Sequence, residues 1–371
     1  MKIVNLKYAI KFAACLLAAE LLFSCGENAG EEPVAPEQQP PIEEEDTVQA
    51  SASLVNSEAT REARNVFEFL WKQYGKKTLS GVMAKVNNNN YQSDWIAAKT
   101  GSYPALTGYD FIHLADSPAN WIDYSDISPA RTQWENNGLV SYMWHWNVPS
   151  VEGGTELGFY AKDTSFSISR AVTDGTWENR QVLADIDKVA SYLKLLQDAG
   201  IPVIWRPLHE ASGRWFWWGR EGAEPCKRLW RLMYDRLVNY HKLNNLIWVW
   251  TVTAGQYVTE DPAEWYPGDL YCDIVGADIY YPDEQWSASK IKEEIRKVCS
   301  SKMIALSETG LLKSAERGFS AADGWSWFMV WYDYDLTDAS EKDSFGNTVV
   351  LYKSILSDLR VINRDDMPSL K

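Results

Sequence analysis

Histidine and cysteine are scarce in this chain, with four of the first and five of the second among 371 residues. Four histidines argue against a His-rich zinc site, and the cysteines show none of the close pairing that metal-binding cysteines need. Cys15 and Cys25 lie near the N-terminus, so Cys226, Cys272 and Cys299 leave room for one disulfide at most. Cys272 with Cys299 is the first choice for it, and buried free thiols fit equally well. Long apolar runs are also missing. The stretch from Phe12 to Phe23 is mostly apolar but too short for a permanent transmembrane helix. No Gly-rich phosphate loop follows the first strand candidate, which argues against a doubly wound nucleotide-binding sheet. The formal net charge is -15, so nothing points to nucleic acid as a partner.

The N-terminal segment reads as an address. Lys2, Lys7 and Lys11 make a basic start before the apolar run. The run ends Leu21-Leu22-Phe23-Ser24-Cys25-Gly26, which resembles a bacterial lipobox. That resemblance implies a signal peptide over residues 1–24, lipidation of Cys25, and a lipid anchor holding the protein at the bacterial cell envelope. Phe23 is bulky where a small residue is usual and Glu20 interrupts the apolar run, so ordinary secretion with Cys25 as a bystander is the competing reading. Residues 25–56 form a tether. Eight acids lie between Glu27 and Asp46, interspersed with prolines and with no Lys or Arg, a composition that cannot bury enough apolar surface to order itself. An acidic run after a lipidated cysteine resembles the surface-export signals of some gut bacteria, and it also serves solubility.

Residues 57–371 read as one folded domain, with no second low-complexity linker and no solenoid repeat. Short apolar runs alternate with helical patterns. The strand candidates are Thr78–Val82, Tyr103–Tyr109, Leu139–Trp144, Ile201–Trp205, Leu246–Trp250, Asp273–Ala277, Met303–Ser307 and Phe328–Trp331. The clearest helices are Glu58–Tyr74, Asn179–Ala199, Pro225–His241 and Ser289–Val298. Eight strands alternating with helices predict an α/β fold, the (β/α)8 TIM barrel. In that fold functional residues sit at the C-terminal ends of strands. Asp110, His145, His209, Glu210, Asp278, Tyr280, Glu308 and Trp331 all fall there.

What is plentiful points to chemistry. The chain holds 19 tryptophans and 19 tyrosines, more rings than a core alone calls for. They are densest in Trp215-Phe216-Trp217-Trp218-Gly219, which closely follows Arg206-Pro207-Leu208-His209-Glu210. Aromatic faces stack on sugars, and a carboxyl group beside them can act on a glycosidic bond. Most glycosidases need two carboxyl groups flanking that bond. Glu210 and Glu308, after the fourth and seventh strands, are the natural pair.

These residues carry a family resemblance. Arg206 to Glu210 with Trp215 to Gly219 looks like the signature of glycoside hydrolase family 26, whose best-known members are endo-β-1,4-mannanases. Ser307-Glu308-Thr309-Gly310, Gly276-Ala277-Asp278-Ile279-Tyr280 and Trp144-His145-Trp146-Asn147 resemble its strand-seven, strand-six and strand-three segments. The resemblance spans roughly residues 60 to 365. It implies a retaining enzyme that cleaves internal bonds of β-linked mannan, with Glu210 as acid and then base and Glu308 as nucleophile. It implies His209 and Tyr280 as partners of Glu308, Trp215 and Trp331 as sugar platforms, and His145 as a polar contact. Ala211 departs from the methionine common in the family. Arg206 fits a charge network beneath the acids or a structural role, and Trp217 and Trp218 fit subsite rings or packing. The polar loop from Gly153 to Trp177 is expected to shape distal subsites.

No cofactor and no metal are expected, and the chain is expected to act as a monomer. The acidic segment Asp333 to Asp338 lacks EF-hand spacing and reads as a solvated loop. Two other functions compete: the same machinery acting on mixed-linkage β-glucan or β-1,3-xylan, and a non-catalytic glycan-binding lipoprotein.

Overall fold

Eight apolar runs become parallel strands that close on themselves. The structure is a computed structural model and describes residues 53–86, 88–253, 260–280, 288–314, 319–320 and 324–371. The barrel strands are β1 Gly81–Met83, β2 Leu106–Asp110, β3 Leu139–Met143, β4 Val203–Arg206, β5 Leu246–Thr253, β6 Ile274–Asp278, β7 Met303–Thr309 and β8 Phe328–Val330. β1 pairs with both β2 and β8, and β6 pairs with β7, so the sheet has no free edge. Every described strand residue of the barrel is buried, because the sheet has side chains inside and helices outside. This is the (β/α)8 barrel, and the closure excludes the open doubly wound sheet.

Around it lie α1 Arg61–Gln73, α2 Tyr91–Thr100, α3 Ser128–Glu135, α4 Trp177–Asp198, α5 Ala223–Tyr234, α6 Ala288–Val298 and α7 Val349–Leu356. α4 shows why these helices form. The Thr176 hydroxyl accepts the Asn179 N–H and caps the start. Val182, Ile186, Val189, Leu193 and Leu196 recur at helical spacing and are all buried. Each such side chain contributes about 1.5–3 kcal/mol of burial. Gly200, at φ 70°, ends the helix and turns the chain into β4. α5 runs on into a six-residue π-helix, Asp235–Tyr240.

The expected elements are present with two differences. The first strand splits at Ser80: Thr78–Leu79 pairs with Val361–Ile362, and only Gly81–Met83 joins the barrel. The Ser80 hydroxyl donates to Asn363 Oδ1 at 2.9 Å and accepts the Ala105 N–H, which ties the closing segment beneath the barrel. The second difference is α2, α3 and α7, which lie outside the expected helices. α2 buries Gln92 and Ser93 beside Trp95 and Ile96, so its inner face does not read as apolar. The Cys272–Cys299 bridge is not formed. Cys226, Cys272 and Cys299 are buried free thiols, and Cys272 Sγ donates to the Ile274 carbonyl at 3.1 Å. No helix of the described residues is long and apolar enough to cross a membrane.

The entry of the chain is seated on one pole of the barrel. Val55 N–H donates to Asp273 Oδ1 at 2.7 Å, and Thr60 N–H donates to the Asn244 carbonyl at 2.8 Å. Asp273 and Asn244 stand just before β6 and β5, at the N-terminal ends of the strands. The opposite pole carries the cleft.

Candidate active site

Six of the eight barrel strands, β2, β3, β4, β6, β7 and β8, carry the expected site residues at or just past their C-terminal ends, and β4, β6 and β7 bring charges together. Arg206, the last residue of β4, is buried. Its Nη1 donates to Asp278 Oδ2 at 2.9 Å and its Nη2 donates to Glu308 Oε1. Tyr280 O–H donates to the other Glu308 oxygen at 2.6 Å, and Ser307 Oγ donates to Asp278 Oδ1 at 2.7 Å. That last bond requires Gly276, where a Cβ would stand 2.3 Å from Ser307 Oγ. Of the two roles open to Arg206 from sequence, the charge network beneath the acids is what the structure contains.

Burial sets the charges. It raises the Asp278 carboxyl, the Arg206 guanidinium pulls it back, and the Glu308 charge adds to the rise, leaving Asp278 at about 7. Burial, followed by the Glu308 charge, also holds the Tyr280 phenol well above the usual tyrosine range, so it stays a donor.

Glu210 occupies a tight turn after β4. Leu208 at φ 49°, Glu210 at φ 54° and Arg214 at φ 58° all lie in the left-handed region that favours glycine. Such residues cost about 1–3 kcal/mol each and persist where surrounding structure holds them. Gly219 is part of that hold, since a Cβ there would stand 1.9 Å from the Ala211 carbonyl oxygen. The Glu210 carboxyl accepts the Trp215 indole N–H at 2.9 Å. Burial, then the Asp278 and Glu308 charges, push it well above the usual carboxyl range, which favours its protonated form.

A chain of three side chains crosses the floor beside it. Asp110, ending β2, accepts the His145 backbone N–H at 2.9 Å and faces His145 Nδ1 at 2.5 Å. His145 Nε2 stands 3.2 Å from His209 Nε2. Burial, with His145 and Arg206 beside it, holds His209 well below the usual histidine range, so it is neutral. His209 does not bond Glu308 here; Arg206 and Tyr280 take both oxygens, which replaces the partnership expected for His209.

The rings divide into wall and core. Trp215 and Trp331 are half-buried on the cleft, and Trp331 lies 5.9 Å from the His145 ring between centroids. Trp217 and Trp218 are fully buried packing, not subsite rings. The Gly153–Trp177 loop comes closer than its polar sequence suggests. Phe159 meets His145 at 5.1 Å between ring centroids, and Tyr160 stacks on Phe216 at 5.5 Å. Their backbones bond across to the β4 loop, Ala161 N–H to the Trp215 carbonyl and Trp217 N–H to the Phe159 carbonyl. The Asp333–Asp338 loop is partnered by protein donors: Asp333 accepts the Asp335 and Ser344 N–H groups, and Asp338 accepts the Tyr91 hydroxyl.

One oxygen from each of Glu210, Asp278 and Glu308 lies within 4.8 Å of the other two. Among the described residues this is the one acidic cluster close enough to hold an ion, and Arg206 already supplies a cation to two of its members. Retaining glycosidases hold their carboxyl pair about 5–5.5 Å apart, and inverting ones hold it about 6.5–9.5 Å apart to admit a water. The close approach of their nearest oxygens, at the C-terminal mouth of a closed barrel, fits the retaining glycosidase class.

Comparison with known proteins gives the family. The model of glycosyl hydrolase family 26 matches residues 55–365, and the chain belongs to that family. Mannan endo-1,4-beta-mannosidase B of Piromyces sp is 34% identical over 332 residues, which cover 87% of this chain and 55% of that protein. The mannan endo-1,4-beta-mannosidase of Thermothelomyces thermophilus is 37% identical over 298 residues, covering 78% of this chain and 59% of that protein. The chain thus spans little more than half the length of these curated relatives. Among solved structures, the family 26 domain of an endo-beta-mannanase/endo-beta-glucanase from Prevotella bryantii aligns with a TM-score of 0.75 at 34% identity, covering 85% of this chain and 99% of that one. A beta-mannanase from a symbiotic protist of the termite Reticulitermes speratus, solved with a gluco-manno-oligosaccharide, has a TM-score of 0.75 at 32% identity and covers 86% of this chain and 99% of that one.

Proposed function

We propose that the chain cleaves internal β-1,4-mannosidic bonds of β-mannans such as galactomannan and glucomannan, with retention of configuration at the anomeric carbon. The observation that carries the chemistry is the close approach of Glu210 and Glu308, one held by burial toward its protonated form and the other bonded by two donors. The mannan-cleaving names of the relatives at 34% and 37% identity support the substrate.

The steps follow from the geometry. The Glu210 O–H protonates the glycosidic oxygen as a Glu308 oxygen attacks C1, and the C1–O bond to the leaving sugar breaks. Glu308 is then esterified to the sugar. Glu210, now a carboxylate, takes a proton from water, which attacks C1 and releases Glu308. Arg206 and Tyr280 hold the Glu308 carboxylate in line throughout, and Trp215 fixes the carboxyl of Glu210. Trp331 offers a ring face to the sugar and His145 a polar contact.

The N-terminal segment extends the proposal: a signal peptide over residues 1–24, lipid on Cys25, an acidic tether over 25–56, and a monomeric catalytic domain held at the bacterial cell envelope. Metabolic labelling with a fatty acid tests the anchor: wild type should carry label, and label in Cys25→Ala would contradict it.

Sugar release tests the activity. Wild type should release reducing ends from galactomannan far faster than from lichenan or xylan, and Glu308→Ala should release none. Preference for lichenan or xylan would overturn the substrate assignment. Glycan binding without turnover would make this a binding protein.

A further inference from the structure

Two adjacent tryptophans that never reach the cleft are bonded to it. Trp217 and Trp218 are each 0% exposed. Their rings stand nearly perpendicular, at 84°, so their single N–H groups aim at different strand ends. Trp217 Nε1 donates to the Trp146 carbonyl at 2.7 Å, and Trp218 Nε1 donates to the His209 carbonyl at 2.8 Å. Trp146 follows His145 directly, and His209 precedes Glu210 directly.

Packing alone does not explain these bonds. Trp205, Trp248 and Trp325 are as deeply buried, and their indole nitrogens have no hydrogen-bond partner among the described residues. A buried indole N–H gains from an acceptor, yet this core leaves several without one, while Trp95 and Trp230 bond other main-chain carbonyls. Only some of its tryptophans are spent on main-chain carbonyls, and these two hold the carbonyls beside the cleft histidines. The His209 carbonyl also lies between Leu208 and Glu210, both at positive φ. A backbone in that region keeps its shape where neighbours over-determine it.

We propose that Trp217 and Trp218 form a positioning clamp. Trp217 sets the end of β3, and with it His145. Trp218 sets the peptide before Glu210, and with it the direction of the acid. Together they keep His145 and His209 within 3.2 Å of each other. Neither touches substrate. The inference rests on the hydrolase reading above, because it concerns the aim of that acid.

Trp218→Phe and Trp217→Phe keep the ring and remove the N–H, with Trp248→Phe as the buried control. Kinetics on mannohexaose and on 2,4-dinitrophenyl β-mannobioside, with a thermal unfolding curve and a pH profile, separate aim from stability. Trp218→Phe should lower kcat on mannohexaose about 10- to 100-fold with KM nearly unchanged, since small misplacement of a catalytic group has that effect. The aryl substrate, which needs little protonation in the first displacement, should lose far less in kcat/KM, and the alkaline limb of the pH profile should move. Trp217→Phe should act in the same direction, and Trp248→Phe should leave kcat as it is. Equal loss on both substrates, or no loss, would overturn the clamp. Two variants that fail to fold beside a folded Trp248→Phe would make it a folding element and overturn it too. A wild type inactive on both substrates would instead sink the hydrolase reading, and the clamp with it.

Discussion

Arg206 bonds two carboxylates at once, Asp278 at 2.9 Å through one terminal nitrogen and Glu308 through the other. A guanidinium can do this because its donors form a rigid planar fork. Lysine offers a point charge on a flexible stem. Arg206→Lys should therefore fold but lose about 100-fold in kcat, because Glu308 is no longer held in line. Arg206→Met leaves buried acids without their cation and should lower the unfolding free energy by about 3–5 kcal/mol. Denaturant unfolding checks the second figure; near-native stability in Arg206→Met would mean that the acids are already neutral.

The Glu210 carboxyl is raised by burial, so it keeps its proton to higher pH than an ordinary carboxyl and loses it as pH rises through the raised value. Loss of activity on the alkaline side should report that step. In Glu210→Gln the alkaline limb should disappear on an activated aryl mannoside, while turnover of mannan becomes negligible. An unchanged alkaline limb in this variant would assign it to another group.

Gly219 has a carbonyl where a side chain would go. Gly219→Ala would put a methyl 1.9 Å from the Ala211 oxygen, so the turn that carries Glu210 must shift. We expect both lower stability, by about 1–3 kcal/mol, and lower kcat. Thermal unfolding and kinetics on mannohexaose measure the two effects. A variant with wild-type values in both would show that the turn moves freely.

Asp273 fastens the far pole by accepting the Val55 and Trp248 N–H groups, each at 2.7 Å. Burial raises its carboxyl to about 6 from an ordinary value of 3.8. The folded state thus favours the protonated acid, so this stabilisation is full below the ordinary value and is lost as pH rises through about 6. Asp273→Ala should lower stability by about 1–3 kcal/mol at pH 4, because a buried N–H loses its acceptor. The gap from wild type should narrow toward pH 8. A gap that widens with pH would reverse the sign of this coupling.

The barrel was legible because each strand is buried on both faces and so reads as an apolar run. Glu210 and Glu308 were legible because a charge that ends such a run stands out. Other features come from contacts far apart in sequence. Nothing near Phe159 signals that it will lie against His145. Gln92 sits on the buried face of α2 because its side-chain oxygen accepts the Asp333 N–H, a bond no local pattern contains. The partners of Arg206, at the ends of β6 and β7, emerge only when the barrel closes. Trp217 and Trp218 looked equally suited to the cleft and the core, since an indole serves both; their burial decided it.

The configuration of the first product tests the paired-carboxylate mechanism most directly. Proton NMR of mannohexaose with wild type, followed from the first minutes, resolves the anomer at each new reducing end before mutarotation mixes them. Double displacement through Glu308 predicts that the β-anomer accumulates first. The α-anomer appearing first would mean that water attacks directly, and Glu308 could not then be the nucleophile.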